Sequence, residues 1–445
     1  MRPITFNLAA VLVCLGRGIL LGADAPPSGE AVPVSGEPFR AQLQSLSADG
    51  MAMWKPEPGE TRKLPLADLC WWGNFAEAPS QPQIVLVDGS LIVADVVSLD
   101  KQQLTIDWSL AGELKLPLEW VGGILLSPPV DRQQADRLRF QFLSNDFRKP
   151  QTKENATGQP DNSEARSDSD RLILFNGDEL SGEVVTMSDS AVKIRTAAGE
   201  TSVSKEKVAA IAFDPSLAAK PDTKQPRVWV GFKDGSRLVA SALTVDAGQA
   251  KLTTVALPRV TVPAANVIAI QPLDGRAIYL SDLKPAGYQH IPFLDLKWPY
   301  RNDRNVLGSQ LRAGGRLYLK GLGMHSAARL TYDLDKSRGL SPVAESSEQK
   351  GTVPFAPRTF RTFSAEAAID DQTTGRGSAL FRVYTDDGSG KWQLMYESPI
   401  VRGGAAPLPI SVDLAGAKRL SLLVDFADHG DEQGHADWLN ARLLP

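Results

Sequence analysis

The chain has 445 residues, of which 42% are hydrophobic and 22% are charged, with a formal net charge of −4 at pH 7. This length exceeds what one core usually supports, so several domains are expected. The composition is typical of a soluble globular protein, and the slightly negative charge argues against a nucleic-acid partner, because no bulk attraction to phosphate exists.

The first 25 residues have the pattern of a secretory signal peptide. Arg2 precedes the apolar run NLAAVLVCLGRGILL, and the small residues Gly22, Ala23 and Ala25 follow it. Arg17 interrupts the run, which is too short to span a membrane, and no later segment is long and apolar enough either. We therefore expect export to the periplasm or to the extracellular space, without a transmembrane segment.

A pattern of about 45 residues recurs along residues 30–273. Each copy has an apolar strand, an Asx-Gly type of turn, alternating strands and a closing Val-x-x-Ile. Val121 follows the Asp88 turn by 33 positions, Val208 follows Asn176 by 32, and Val267 follows Asp234 by 33. A degenerate first copy begins near Val32. Such agreement in spacing indicates an internal repeat.

Each copy is predicted to form about five short antiparallel strands, because Asx-Gly between alternating apolar residues is a strong hairpin signal. The pattern is similar to Sm-like and SH3-like small β-barrels, and a helical turn is expected before the last strand, at Lys205–Lys207 in the third copy. A polar segment at 145–170 is predicted to be a disordered linker. The repeats are expected at 30–78, 82–130, 171–216 and 226–273.

Residues 275–445 are predicted to form a separate β-sandwich. Alternating runs such as RLTYDL, ALFRVYTDDG and RLSLLVDFA are separated by Gly and Asp turns, and all four histidines of the chain fall in this part. The fold class is therefore all-β, with tandem small β-barrel repeats followed by a jelly-roll sandwich.

This C-terminal part resembles the NPCBM carbohydrate-binding modules over about residues 278–444. Eight elements occur in the order of that family: YLSDL at 279–283, KGLGMHS at 320–326, IDD at 369–371, GRGSALFRV at 375–383, TDDG at 385–388, Ser398, VDLAGAKRLSLLV at 412–424 and HADW at 435–438. Two departures are Ala368, where the family usually has glycine, and Gly434, where an acid often precedes HADW.

The resemblance implies a galactose-binding-like jelly roll that binds terminal, galactose-type sugars of glycans or polysaccharides without catalysis. Sugar recognition needs polar side chains for hydroxyl groups and an aromatic face for the sugar ring. Candidate sugar-binding residues are His325, Asp370, Asp371, Arg376, His435, Asp437 and Trp438.

Each candidate also has a structural interpretation. His325 could fix its turn, Arg376 could pair with a local acid, and Trp438 could belong to the core. Asp370 and Asp371 could cap a turn or hold a structural Ca²⁺ ion, since carboxylates suit a hard cation.

No catalytic motif stands out in the sequence, so the protein is not expected to be an enzyme. The spacing of His429 and His435 is a weak zinc signal, because the other side chains of that loop are oxygen donors. The alternative to a secreted carbohydrate-binding protein is an interaction scaffold of the cell envelope or an extracellular assembly, whose sandwich no longer binds sugar. In either case, the repeats are candidates for contact with envelope proteins.

Overall fold

A computed structural model describes residues 27–143, 169–221, 226–292, 296–337 and 360–445. The predicted signal peptide lies outside these residues, as does the predicted linker except for its last two positions. Among the helices that are described, we find none with the length and apolar character needed to cross a membrane.

Strands in the first part of the chain group into four units, at residues 28–73, 83–125, 170–212 and 228–272. The first unit contains β1 (Ser28–Pro33), β2 (Phe39–Leu46), β3 (Met51–Pro56), β4 (Arg62–Pro65) and β5 (Leu69–Gly73). The second contains β6 (Gln83–Leu86), β7 (Leu91–Val93), β8 (Asp95–Leu99), β9 (Gln103–Trp108), β10 (Gly112–Pro117) and β11 (Val121–Leu125).

The third unit contains β12 (Asp170–Leu174), β13 (Glu179–Met187), β14 (Ala191–Thr196), β15 (Gly199–Ser204) and β16 (Val208–Ala212). The fourth contains β17 (Val228–Phe232), β18 (Arg237–Ala240), β19 (Ala242–Asp246), β20 (Gln249–Thr253), β21 (Val260–Pro263) and β22 (Val267–Pro272). In units two and four, the strand that corresponds to β2 is therefore divided in two.

The units are open sheets and not closed barrels, which corrects that part of the fold prediction. In the first unit, β1 pairs with β2 and with β5, and β3 pairs with β2 and with β4. A 3-10 turn links the last two strands of each unit, and no ladder among the described residues joins those two strands. The helical turn predicted at Lys205–Lys207 is present.

Neighbouring units are joined by strand pairing at their last strands. β5 pairs with β22, and β11 pairs with β16 in the same antiparallel sense. Buried side chains from all four units form one continuous apolar cluster, which includes Trp54, Trp72, Trp108 and Phe232. Because each unit is too small to bury an adequate core, the shared cluster supplies the burial that a single unit lacks.

A helix that the sequence analysis did not predict follows the second unit. Helix α1 (Arg132–Gln141) is capped at its N-terminus by Asp131. The Asp131 carboxylate accepts hydrogen bonds from the backbone N–H groups of Gln133 and Gln134. This is a standard N-cap arrangement. The helix brings Asp136 and Arg139 into a buried position between the units and the C-terminal part.

The C-terminal part is a sandwich of two antiparallel sheets. One sheet has the order β25 (Arg301–Asn302), β28 (Gly321–His325), β36 (His435–Leu444), β30 (Thr362–Ile369) and β34 (Leu408–Asp413), with β23 (Ile278–Tyr279) also paired to β36. The other has the order β24 (Gly287–His290), β29 (Ala328–Asp333), β35 (Arg419–Phe426), β31 (Ser378–Asp386) and β32 (Gln393–Glu397), with β33 (Val401–Arg402) also paired to β31. The core between the two sheets includes Phe363, Phe381 and Trp438.

Two short elements complete the sandwich. The hairpin of β26 (Leu311–Ala313) and β27 (Arg316–Tyr318) lies beside the first sheet, and the short helix α2 (Leu334–Ser337) follows β29. The hairpin contacts the N-terminal units, since Leu317 forms a β-bridge with Phe75.

Candidate functional site

A cluster of histidines lies where three strands of the sandwich end or begin. β24 ends at His290, β28 ends at His325, and β36 begins at His435. His325 and His435 are register partners, and their ring centroids are 5.5 Å apart. The rings of His290 and His325 meet edge to face at 6.0 Å. Strand pairing therefore brings together three histidines that are separated by up to 145 positions in the sequence.

Trp298 covers this cluster, and the sequence analysis did not identify it. Its indole ring is parallel to the His325 ring, with centroids 4.7 Å apart and an interplanar angle of 3°. It also lies 5.8 Å from the His435 ring, and its backbone N–H donates to His290 Nδ1 at 3.3 Å. The indole is half-buried, whereas His325 beneath it is only 2% exposed. Trp298 is thus the aromatic surface of the cluster.

One carboxylate reaches the cluster from the loop between β35 and β36. Asp431 Oδ1 lies 3.3 Å from His325 Nδ1 and accepts a hydrogen bond from Ser326 Oγ at 3.1 Å. Gly434 allows this approach, because a Cβ at that position would lie 2.4 Å from Ser326 Oγ. An acidic side chain at position 434, where the family often has one, would therefore clash with Ser326. Asp431, three residues before Gly434, supplies the carboxylate of the cluster.

The three histidines are held in the neutral form at physiological pH. Burial, together with the nearby His325 ring, lowers the pKa of His435 to about 4 against the opposing effect of Asp431. Burial also lowers the pKa of His325 and of His290, although the Asp431 carboxylate acts in the opposite direction on both. Neutral imidazoles can both donate and accept hydrogen bonds, which suits recognition of hydroxyl groups.

Asp370 and Asp437 lie close to His435 but inside the protein. Their exposed fractions are 1% and 0%. Burial raises the pKa of Asp437 well above its usual range, and the charge of Asp370 acts in the same direction, which favours the uncharged form of Asp437. In this structure neither side chain is exposed at the cluster.

Asp370 and Asp371 instead organise the backbone. Asp370 accepts from the N–H groups of Gln372 and Arg312, at 2.9 Å and 3.2 Å. Asp371 accepts from the N–H groups of Gly314 and Gly315, at 3.0 Å and 2.8 Å. These backbone N–H groups direct their partial positive charge at the two carboxylates, which disfavours a cation at the same place. No group of three or more metal-ligating side chains occurs within the described part of the chain, and the turn-capping interpretation explains both residues without Ca²⁺.

Arg376 and Trp438 are also separate from the cluster. Trp438 is fully buried and packs edge to face against Phe363 and Phe381, an environment that fits the core interpretation. Arg376 is exposed, and its Nη2 lies 3.0 Å from the side-chain oxygen of Gln433 when the Gln433 amide is oriented to satisfy its neighbours. Of the seven predicted residues, only His325 and His435 contribute to the cluster.

Comparison with known proteins gives one family and several relatives. The model of the NPCBM/NEW2 domain matches residues 276–356 and 337–444. A putative endo-alpha-N-acetylgalactosaminidase of Renibacterium salmoninarum is 31% identical over 137 residues, which cover 31% of this chain and 7% of that protein. Alpha-1,3-galactosidase B of Akkermansia muciniphila is 30% identical over 142 residues, covering 32% of this chain and 15% of that protein. The chain thus matches only a small part of the length of these curated relatives.

Two solved structures are also similar. One is a CBM51 module of a Clostridium perfringens GH95 protein in complex with methyl-galactose, with 19% identity and a TM-score of 0.29, covering 38% of this chain and 99% of that chain. The other is the tandem CBM51 modules of a family 98 glycoside hydrolase from Streptococcus pneumoniae, with 11% identity and a TM-score of 0.29, covering 62% of this chain and 87% of that chain. The family match agrees with the resemblance based on eight sequence elements: residues 276–444 of this chain match the model of the NPCBM/NEW2 domain.

Proposed function

We propose that the protein is a secreted carbohydrate-binding protein whose C-terminal sandwich binds terminal galactose-type sugars at the Trp298–histidine cluster. The observation that carries this proposal is the half-buried Trp298 indole, stacked on His325 and surrounded by neutral imidazoles. The names of the two curated relatives, a galactosidase and an N-acetylgalactosaminidase, favour this class of sugar.

The residues of the cluster would have different roles in sugar recognition. The sugar ring would lie with its C–H face against Trp298, because an aromatic ring offers an apolar surface of matching size. His435 and Asp431 are both partly exposed and would bind the hydroxyl groups. His325 is buried and would act as a positioning residue, because it holds the indole plane from beneath.

The proposal includes no catalytic step. A glycosidase needs two carboxyl groups on either side of the glycosidic bond, with one of them kept protonated. Burial raises the pKa of Asp437, two residues after His435, yet this side chain is enclosed in the protein. It therefore cannot reach a sugar at Trp298.

The test is calorimetric titration of the full chain with methyl galactoside and N-acetylgalactosamine, with glucose for comparison. Trp298→Ala is expected to weaken binding at least about tenfold, which corresponds to about 1.4 kcal/mol. Trp392→Ala is the matched control, because Trp392 is also partly exposed but lies near Arg419, away from the cluster. Loss of binding in both variants, or in neither, would contradict the assignment of the site.

A protein-binding role of the same surface is the second candidate. Ile291 and Leu296, in the segment that carries Trp298, are 63% and 59% exposed. Exposed apolar side chains around an aromatic residue are typical of protein contact surfaces. If well-folded protein binds none of the sugars at millimolar concentration, this candidate replaces the first.

A further inference from the structure

A cavity of about 540 Å³ lies where the second and fourth units meet the sandwich. The turn Asp88–Gly89 and strands β17 and β18 form one side, and the segment Asn302–Arg304 with Lys320 forms another. It is separate from the Trp298–histidine cluster, since none of the cluster residues lines it. Its size is that of a site for a small molecule.

Five cationic side chains line this cavity, and three of them have acidic partners. Arg139 pairs with Asp136 at 2.8 Å, Arg227 pairs with Asp274 at 3.0 Å, and Lys320 pairs with Asp303 at 3.0 Å and with Asp282. The remaining two are Arg237 and Arg304. Neither has an acidic partner within the ranges that the structure describes.

Arg237 is the more unusual of the two because it is only 6% exposed. No hydrogen bond of its guanidinium group is found among the described residues. A buried cation without a partner is costly, so buried charges are normally paired. An unpaired guanidinium that lines a cavity therefore indicates that something else supplies the negative charge.

The charges around Arg237 do not compensate it. Asp136 accepts from Arg139 and from Arg312, and Glu77 accepts from both ends of the Arg312 guanidinium group. These two acids are thus shared by two arginines before Arg237 is counted. The buried group of three arginines and two acids carries one positive charge in excess, and Arg237 is the member without a contact.

Arg304 adds a second cation to the lining of the cavity. Its guanidinium group lies 3.6 Å from the ring centroid of Phe140, which holds it in place without neutralising it. Trp229 lines the same cavity and is half-buried, so it offers a ring surface to the body of a ligand. The five cationic side chains of the lining outnumber its three acids, Asp88, Asp282 and Asp303. Asp282 and Asp303 are both bound by Lys320, and Asp88 accepts the backbone N–H of Ser90 at 2.9 Å.

We propose that this cavity binds a small organic oxyanion, whose carboxylate, sulfate or phosphate group is held by Arg237 and Arg304 while its body lies against Trp229. Arginine suits such groups because its planar array of donors can bind two oxygens at once. The inference is independent of sugar binding at Trp298.

The experiment is thermal unfolding of the full chain with acetate, glucuronate, sulfate or inorganic phosphate, each compared with chloride at equal ionic strength. Glucose serves as the uncharged counterpart of glucuronate. At least one oxyanion is expected to raise the unfolding midpoint of the wild type in a concentration-dependent way, because a ligand that binds only the folded state stabilises it. Comparison of the midpoint shifts with the four anions identifies the preferred oxyanion group. The difference between the shifts with glucuronate and with acetate measures how much the body of the ligand contributes to binding.

Arg237→Met and Arg304→Met test the two cations. Arg237→Met is expected to be at least as stable as the wild type without oxyanion, since an uncompensated charge is removed, and to lose the response to the anion. Arg62→Met is the matched control, because Arg62 also lies over a phenylalanine ring, Phe39, but is exposed and far from the cavity. If Arg237→Met folds poorly, Arg304→Met provides the same comparison. It is expected to raise the anion concentration needed for the same midpoint shift at least about tenfold.

The proposal is overturned if no oxyanion shifts the wild-type midpoint beyond the effect of chloride. It is also overturned if the response persists unchanged in both methionine variants. The proposal also fails if Arg62→Met loses the anion-dependent midpoint shift as fully as the two cavity variants. The shift would then depend on the general charge of the protein and not on this cavity.

Discussion

At the scale of single residues, the cluster depends on imidazoles that stay neutral. His435 faces His325 across the strand pair, so protonation of one ring disfavours protonation of the other. Burial acts in the same direction on both. The proposed site therefore keeps its hydrogen-bonding form at physiological pH.

The first prediction follows from the His435 pKa of about 4 in the folded protein. In the unfolded chain this pKa is about 6.5, so the unfolded state takes up the proton first as the pH falls. The contribution of His435 to stability is therefore complete above pH 6.5 and is lost as the pH falls toward 4. His435→Gln should lessen the loss of stability between pH 6.5 and 5 by about 1 kcal/mol, after allowance for partial solvent screening.

Urea unfolding of the wild type and of His435→Gln at several pH values measures this difference. His429→Gln is the control, because His429 is exposed on the neighbouring loop. Equal pH dependence in the wild type and in His435→Gln would contradict the proposed role of burial.

At the scale of elements, the strand pairs between units require close backbone approach. Gly73 ends β5 with φ of +71°, and a Cβ at this position would lie 1.9 Å from the carbonyl oxygen of Ile268 in β22. Ser90 and Ser236 form a second, reciprocal contact, since each hydroxyl accepts a backbone N–H from the other unit, at 2.8 Å and 2.9 Å. The units are thus joined by backbone geometry that small residues permit.

The second prediction concerns Gly73→Ala, which should lower the free energy of unfolding by about 3 kcal/mol or more, because strain at positive φ adds to a steric clash. Gly36→Ala is the matched control: Gly36 has φ of +91° in the same unit, but nothing lies within 4 Å of its Cβ position. It should cost only about 1 kcal/mol. Similar losses in the two variants, measured by urea unfolding, would show that close packing of β5 on β22 does not matter.

At the scale of the whole molecule, the sandwich is attached to the four units by buried polar contacts. Arg312, in the β26–β27 hairpin, binds Glu77 of the segment after β5 and Asp136 of α1. Tyr279 donates its hydroxyl hydrogen to the carbonyl oxygen of Cys70 at 2.9 Å. These contacts fix the sandwich against the units and leave the Trp298–histidine cluster at another part of its surface.

The third prediction is that Arg312→Met weakens this attachment. The substitution leaves the buried Asp136 with one arginine and Glu77 without its closest partner, which should cost about 3–5 kcal/mol. The double variant Glu77→Gln with Arg312→Met should be less destabilised than the sum of the single variants, because the two side chains interact directly. Calorimetric unfolding measures both effects, and Arg329→Met, at an exposed arginine of β29, is the control.

If the loss in free energy of unfolding of the double variant equals the sum of the losses of the two single variants, a direct coupling of Glu77 with Arg312 is contradicted. An unchanged unfolding midpoint for Arg312→Met would contradict its role in holding the sandwich against the units.

The sequence by itself determined the class of fold and the family that the C-terminal part resembles. Local chemistry was sufficient for this: alternation indicates strands, Asx-Gly pairs indicate turns, and the eight elements lie in the order of one family. Helix α1 could have been predicted from Asp131 followed by ten helix-compatible residues, although its short apolar pattern is weak.

Only the tertiary structure decided which predicted residues form the site. Alternation places Trp438 and His435 on strand positions, but it does not say which face of a sheet meets the other sheet and which meets solvent. Asp370 and Asp437 are polar in sequence and yet enclosed: backbone N–H groups of Gln372 and Arg312 bind Asp370, and burial favours the uncharged form of Asp437. Trp298 belongs to no strand, and its contact with His325 depends on the way two sheets bring distant chain segments together. Burial and long-range proximity arise from packing, and local sequence patterns do not encode them.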